Sequence, residues 1–358
     1  MPNTKSKLKV ALGMSGGVDS SVAGLLLKRE GYDVAGVHLQ CWDYDNPGCK
    51  GREDRADALK VASMLNIKFT ELNFEKEYAG MVLDYFWREL KAGRTPNPDI
   101  VCNTHIKFGL FLDWATNYGF DYIATGHYAR LKTTSGEGTN LLSGVDITKD
   151  QSYFLYRVPE EKLKKVLFPL GELEKSEVRK IAKEANLPVF NKKDSTGICF
   201  TGNLNVLEFI KSNVTLEKGN VLNVKGEVIG EHDGACLYTI GQRHGFKLNT
   251  YLGIPTYVIS KDVAKNTITV GFGKDSQKKE FDLTDLVFVN RENTKLFMNS
   301  QFDCEIRIRN LGEKMKGRIR IFNDIASVTL EDFALGVASG QSAVFYRKDL
   351  VLGGGIIR

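Results

Sequence analysis

The stretch Gly13-Met14-Ser15-Gly16-Gly17-Val18-Asp19-Ser20 restricts this chain to a small set of folds. It joins an apolar run, Leu8 to Leu12, that reads as a strand to a segment, Ser20 to Glu30, that reads as a helix. A strand that enters a helix through adjacent glycines opens an α/β unit, and the amides of such a turn aim partial positive charge at any anion the glycines admit. That suits a phosphate. Ser15 and Ser20 add hydroxyl donors, and Asp19 is placed either to hold a magnesium ion or to cap the helix. A Walker loop needs a lysine before its final serine, and a dinucleotide fingerprint needs its third glycine further on; both are missing here.

The alternation continues downstream. Asp33 to Leu39, Ile67 to Phe74 and Asp121 to Thr125 read as strands, and Asp54 to Leu65, Glu75 to Lys91 and Ile106 to Tyr118 as helices. The pattern predicts an α/β fold with a doubly wound parallel sheet. Ligands of such sheets sit beyond the carboxyl ends of the strands, so the turns after Leu12, Leu39 and Thr125 are expected to converge on one nucleotide. Lys132 to Ser143, rich in Thr, Ser and Gly, is expected as a surface loop, with helices over Asp150 to Tyr156 and Lys175 to Ala185. Past Asn203 helical periodicity largely stops, and short apolar runs alternate with Gly, Asn and Asp. The predicted division is 1–203 for the catalytic sheet, 204–275 for a small central domain and 276–358 for an antiparallel β-barrel.

Composition sets the compartment and narrows the partners. No run in the 358 residues approaches the roughly 18 to 20 apolar residues of a membrane span, so no membrane partner is expected. Six cysteines are scattered without a leading signal peptide, which points to a reducing cytoplasm. Lys5, Lys7 and Lys9 read as a solvated tail. A net charge of +5 does not establish a nucleic-acid partner, but six Lys/Arg against the single acid Glu313 between Arg307 and Arg320 make a basic patch or a solvated strand face.

Cys102 follows Thr95-Pro96-Asn97-Pro98-Asp99, where two prolines stiffen the chain ahead of a helix. A helix N-terminus favours its thiolate, and Asp99 is placed as a proton carrier; a small buried cysteine is the alternative reading. Cys199 lies in the glycine-flanked Asp194-Ser195-Thr196-Gly197-Ile198-Cys199-Phe200. Two such thiols beside a nucleotide loop suit sulfur transfer, in which one carries a persulfide and the other resolves it. Cys41 and Cys49 have no metal-site doublet beside them and read as structural thiols; no metal ligands are assigned.

SGGVDS resembles the pyrophosphate loop of the ATP pyrophosphatases, which cleave ATP to AMP and pyrophosphate. Together with TPNPDIVCN, GHYAR, KDQSYFL, DSTGICF, YTIGQRHG and GQSAVFY, it makes the chain similar to the bacterial tRNA-specific 2-thiouridylases over nearly its whole length. The resemblance implies an ATP-pyrophosphatase domain, a central domain and a barrel, and ATP-dependent 2-thiolation of the wobble uridine of tRNA. It further implies that Cys199 carries the persulfide, that Cys102 is the second catalytic thiol, and that Asp99 is the acid/base. Gly13 to Ser20 (Met14 and Val18 included), Leu39 and Gly126 would line the ATP site. Asn97, Pro98 and Asp99 would meet the flipped base. His127, Lys149, Asp150, Gln151, Arg307, Arg309 and Gln341 would touch tRNA. ATP, magnesium and a persulfide donor, either a cysteine desulfurase or a sulfur-relay protein, complete the expected set. Arg307-Ile308-Arg309, His244 and Ser339 depart from the usual pattern of the outer domains. An amide-forming synthetase could share the loop but has no use for the two thiols.

Overall fold

The computed structural model describes residues 7–43, 50–134, 138–194, 206–250 and 253–358. Five parallel strands form the first sheet: β1 (Lys9–Gly13), β2 (Asp33–Gln40), β3 (Lys68–Asn73), β4 (Tyr122–Ala124) and, after the hairpin strands β5 (Ala129–Thr134) and β6 (Gly138–Ser143), β7 (Val166–Leu167). Their order is β3-β2-β1-β4-β7. Val10, Ala11 and Leu12 have no exposed surface, as a strand covered on both faces requires. The chain winds outward from β1 to β3 and then returns to the other side of β1, so the order reverses between β1 and β4. That crevice is where a doubly wound sheet binds its ligand.

Two helical stretches differ from the expected ones. Glu75–Tyr78, Ala79–Leu83 and Asp84–Lys91 follow without a break, with the middle piece wound as a π-helix. The helix expected from Ile106 instead begins at Pro98–Val101, continues as a π-helix over Cys102–Leu110 and ends as Phe111–Asn117. Pro98 at its first position forfeits no helical hydrogen bond, and this sets the start.

Among the described residues, Lys132 to Ser143 is not a surface loop. Lys132 to Thr134 ends β5, and Gly138 to Ser143 forms β6, in which Thr139, Leu141 and Ser143 alternate inward. The partner that makes it a sheet lies at the far end of the chain, beyond the reach of local pattern. Asp150 to Tyr156 is a single 3₁₀ turn, Ser152–Leu155. The Asp150 carboxylate accepts from Ser152 N, while Tyr153, Leu155 and Tyr156 are fully buried.

The central strands β8 (Gly219–Leu222), β9 (Val228–His232), β10 (Phe246–Leu248), β11 (Tyr257–Asp262) and β12 (Thr267–Gly271) form a mixed sheet, β10-β9-β8-β12-β11. A helix unforeseen in the sequence, Val206–Asn213, docks it on the first domain, with Phe209 stacked on Trp87 at 5.3 Å. The last strands are β13 (Gln277–Phe288), β14 (Gln301–Arg307), β15 (Met315–Phe322), β16 (Ile325–Leu335), β17 (Ser342–Arg347) and β18 (Leu350–Ile357). They run β13-β16-β15-β14-β17-β18, and β13 closes back on β18 through Leu283↔Ile357. This is a closed antiparallel barrel. β6 extends it, pairing with β18 at Leu350↔Leu142, and Arg130 reinforces the join by donating to Asp349 at 2.6 Å.

Candidate active site

The glycine-rich turn leaves β1 at Gly13 and enters the helix Val18–Arg29, whose N-cap, Gly17, has no capping side chain. The amides of the first turn therefore have neither an intrahelical acceptor nor a cap, which is the geometry that binds an anion. The Ser15 and Ser20 hydroxyls lie 3.3 Å apart beside them. Val18 and Met14 are buried, and the Met14 amide donates to Val37 O at 2.8 Å, tying the turn to β2. His38 Nδ1 is bonded to Met14 O at 2.9 Å, and burial holds this imidazole below its ordinary pKa. Leu39 is the penultimate residue of the same strand, half-buried against the core.

Gly126, after β4, completes the crevice. A Cβ there would fall 2.7 Å from Ser20 N and 2.9 Å from Asp19 C, so only glycine lets the two turns touch. The turns after β1, β2 and β4 thus lie side by side at the point where strand order reverses.

Asp19 neither caps the helix nor stands open. One of its oxygens accepts from the Tyr128 hydroxyl at 2.8 Å, and both accept from Lys175 Nζ, at 2.7 and 2.8 Å. Burial and the Asp19 charge push the Tyr128 phenol far up, so it stays a donor. Lys175 also pairs with Asp194 at 2.8 Å, and Asp194 accepts from Lys149 at 2.8 Å and Arg179 at 2.6 Å. Partial burial raises the Asp194 carboxyl, but the lysines prevail and hold it at about 2. Lys192 Nζ donates to Gly16 O at 3.0 Å and to Asp54 and Asp57 at 2.7 Å each, pinning the turn to the helix Gly51–Met64. Sequence reasoning missed Tyr128, Lys175 and Lys192 because they lie more than a hundred residues from the turn they hold.

The second half of the site is the helix that starts at Pro98. Asp99 is half-buried in its first turn. Cys102 is only 1% exposed and belongs to the buried cluster of Tyr78, Val82, Phe86 and Ile106, so of the two readings of this thiol the structure shows the buried one, near the start of the helix. It sits where the helix turns from α to π, a widening that recurs at functional sites. Asn97, just before the helix, is 9% exposed. Cys199 and Cys49 lie outside the described residues.

Three family models match in chain order: the tRNA methyl transferase HUP domain over residues 8–203, the tRNA methyl transferase PRC-barrel domain over 207–272 and the aminomethyltransferase β-barrel domain over 278–357. The tRNA-specific 2-thiouridylase MnmA 1 of Geobacillus kaustophilus is 46% identical, covering 98% of this chain and 95% of its own. The enzymes of that name from Listeria innocua and Enterococcus faecalis are 44% and 43% identical, covering 100% and 98% of this chain and 96% of their own. This chain belongs to the tRNA-specific 2-thiouridylase family.

In this 2-thiouridylase the residues expected to touch tRNA fall into two groups. Lys149, Gln151, Gln341 and Arg309 keep some exposure. Of these, Lys149 is engaged by Asp194, and the Gln151 side chain accepts from Tyr128 N at 2.9 Å. Asp150, His127 and Arg307 are buried. Arg307 donates to Asp150 at 2.7 Å and lies over the Tyr346 ring, so the expected solvent-facing arginine is instead an internal strut between the segment that follows β6 and the barrel. His127 Nδ1 is bonded to the Thr125 hydroxyl at 2.7 Å, between Phe108 and Phe168. Burial keeps its ring neutral.

Proposed function

We propose that the chain installs sulfur at C2 of the wobble uridine of tRNA, using ATP and a cysteine persulfide and releasing AMP and pyrophosphate. The observation that carries this reading is an uncapped, glycine-rich anion turn at the strand-order reversal of a chain that matches 2-thiouridylases end to end.

The residues fit ATP. The free amides of the first helical turn and the Ser15 and Ser20 hydroxyls would hold the phosphates, while Gly126 leaves room at Ser20. The base O2 attacks the α-phosphorus and pyrophosphate leaves, which turns a poor leaving oxygen into part of AMP. Cys102 then attacks the inner sulfur of the Cys199 persulfide, forming a disulfide and freeing sulfide, which adds to C2 and expels AMP; later reduction of the disulfide restores the thiols. Asp99 moves the proton, and Asn97 to Asp99 receive the flipped base. Magnesium would arrive on the ATP phosphates. Both Asp19 oxygens are already engaged, and among the described residues no three His, Cys, Asp or Glu stand together as a metal cage. Among the same residues no helix is long and apolar enough to cross a membrane. A cytoplasmic setting and a desulfurase or relay partner complete the proposal.

Nucleoside mass spectrometry tests it, on tRNA incubated with the protein, ATP, magnesium and a persulfide source. The expected result is 2-thiouridine formed with AMP, lost in Cys102→Ser and Cys199→Ser while tRNA affinity persists. Asp19→Ala should lose AMP release. A fully active Cys199→Ser protein would refute the sulfur route, and an amide product independent of both thiols would replace the reading.

A further inference from the structure

The loop Thr95-Pro96-Asn97 cannot hold its own shape. Pro96 and Pro98 lack amide hydrogens, so Thr95 and Asn97 carry its remaining amides, and neither bonds within the loop. Thr95 N donates to Ser339 O at 2.8 Å, and Asn97 N donates to the Tyr85 hydroxyl at 3.3 Å. The carbonyls follow suit. Gln341 Nε2 donates to Thr95 O and to Pro96 O, both at 3.2 Å, so one side-chain amide uses both hydrogens on consecutive carbonyls. The central domain adds the Thr95 hydroxyl's bond to the Thr239 hydroxyl at 3.3 Å.

The fit around these bonds is close. Gly340 has φ +89°, and a Cβ there would fall 2.8 Å from Thr95 O, so the barrel turn can reach the loop only as glycine. Where the outer domains meet, a Cβ on Gly241 would lie 2.8 Å from the Gly336 Cα. The tip of YTIGQRHG therefore meets the turn just ahead of GQSAVFY, and both motifs reach the loop, through Thr239 and through Gly340 and Gln341.

We propose that Gln341 and Thr239 are positioning residues that set the backbone of the base-receiving loop from two other domains. This rests on the reading of Asn97 to Asp99 as the base contact, and it gives Gln341 a loop-supporting role beside the tRNA contact expected of it. Turnover then depends on residues far from the sulfur chemistry, through the placement of Asn97 and Asp99.

Steady-state thiolation, equilibrium tRNA binding and thermal unfolding on the full chain separate the possibilities. Gln341→Glu puts an acceptor against two carbonyls and keeps the side chain's size; Thr239→Val removes one hydroxyl at constant shape. A displacement of about 1 Å in a reacting group can cost roughly 100-fold, so a 10- to 100-fold fall in kcat is expected for Gln341→Glu, and a smaller one for Thr239→Val. The tRNA KM and Kd of Thr239→Val should stay within a few-fold, and the melting temperature of both variants within a few degrees. A Thr239→Val Kd that weakens in step with its rate would make that hydroxyl part of tRNA binding, and an unchanged kcat in Gln341→Glu would end its positioning role; either overturns the proposal. Full activity of both Asn97→Ala and Asp99→Ala would instead remove the base-contact reading, and the inference with it.

Discussion

Asp194 is the junction at which the charges around the nucleotide turn meet. Its carboxyl sits at about 2, below the ordinary 3.8, because Lys149 and Lys175 outweigh the opposing effect of burial. A depressed carboxyl contributes stability that is complete above its unfolded pKa and lost as pH falls through the folded value, here between about 4 and 2. Asp194→Asn is therefore expected to cost about 1 to 2 kcal/mol at pH 7, allowing for solvent screening, with the difference from the parent shrinking as pH drops through that window. Urea unfolding at pH 7, 5, 4 and 3 checks this, and a gap that does not narrow with acid would mean the ion pairs are not its source. Residues of this kind divide what could be read in advance from what could not. Asp99 and Cys102 announced themselves through the prolines beside them, since a stiff chain entering a helix is a local event. Lys175 and Lys192 did not, because a lysine that meets Asp19 or Gly16 across 156 or 176 residues has the same sequence neighbourhood as any surface lysine. The burial of Cys102 was equally silent, since its neighbours Tyr78, Val82 and Phe86 come from another helix.

The strand β15 shows how one element can carry two messages. Gly317, Ile319 and Ile321 point inward while Lys316, Arg318 and Arg320 point out, so period-two patterning alone accounts for all three of its basic residues, half of the six between Arg307 and Arg320. Arg318 is neutralised by Asp303 at 2.7 Å, and Arg320 leans on Gln301 at 3.0 Å. With Arg307 buried, a tRNA-binding role for this face would fall to Arg309, Lys316 and Arg320. Their combined change to Gln should reduce the slope of log affinity against log salt by roughly 0.7 to 0.9 for each phosphate contact removed, whereas Arg318→Gln alone changes it less. An unchanged slope would leave the strand as a solvated wall. Elements were legible where the pattern was local: four of the five parallel strands and the barrel follow from apolar runs and turn residues, whereas the two-residue β7, Val166–Leu167, is too short to show a pattern. The β5–β6 hairpin was hidden because its strands offer little apolar pattern, and the partner that makes them a sheet enters only at Leu350.

At the scale of the molecule, the catalytic domain is not finished by its own residues. The last barrel strand covers the edge of β6, Tyr153 donates to Ser342 O at 2.9 Å, and the Thr95–Asn97 loop hangs from Ser339 and Gln341. A chain ended after residue 275 would expose that edge and leave the loop unclamped. It is expected to self-associate in size-exclusion chromatography and to make no 2-thiouridine, although its nucleotide turn is intact; a monomeric, active fragment would refute the dependence. The same pairing has a temporal side. Arg130 and Asp349 are separated by 219 residues, so at about 5 to 20 residues per second a ribosome completes the partner strand roughly 10 to 40 seconds after releasing the hairpin. During that interval the nascent chain already owns its glycine-rich turn, while the Thr95–Asn97 loop still waits for the barrel turn that clamps it.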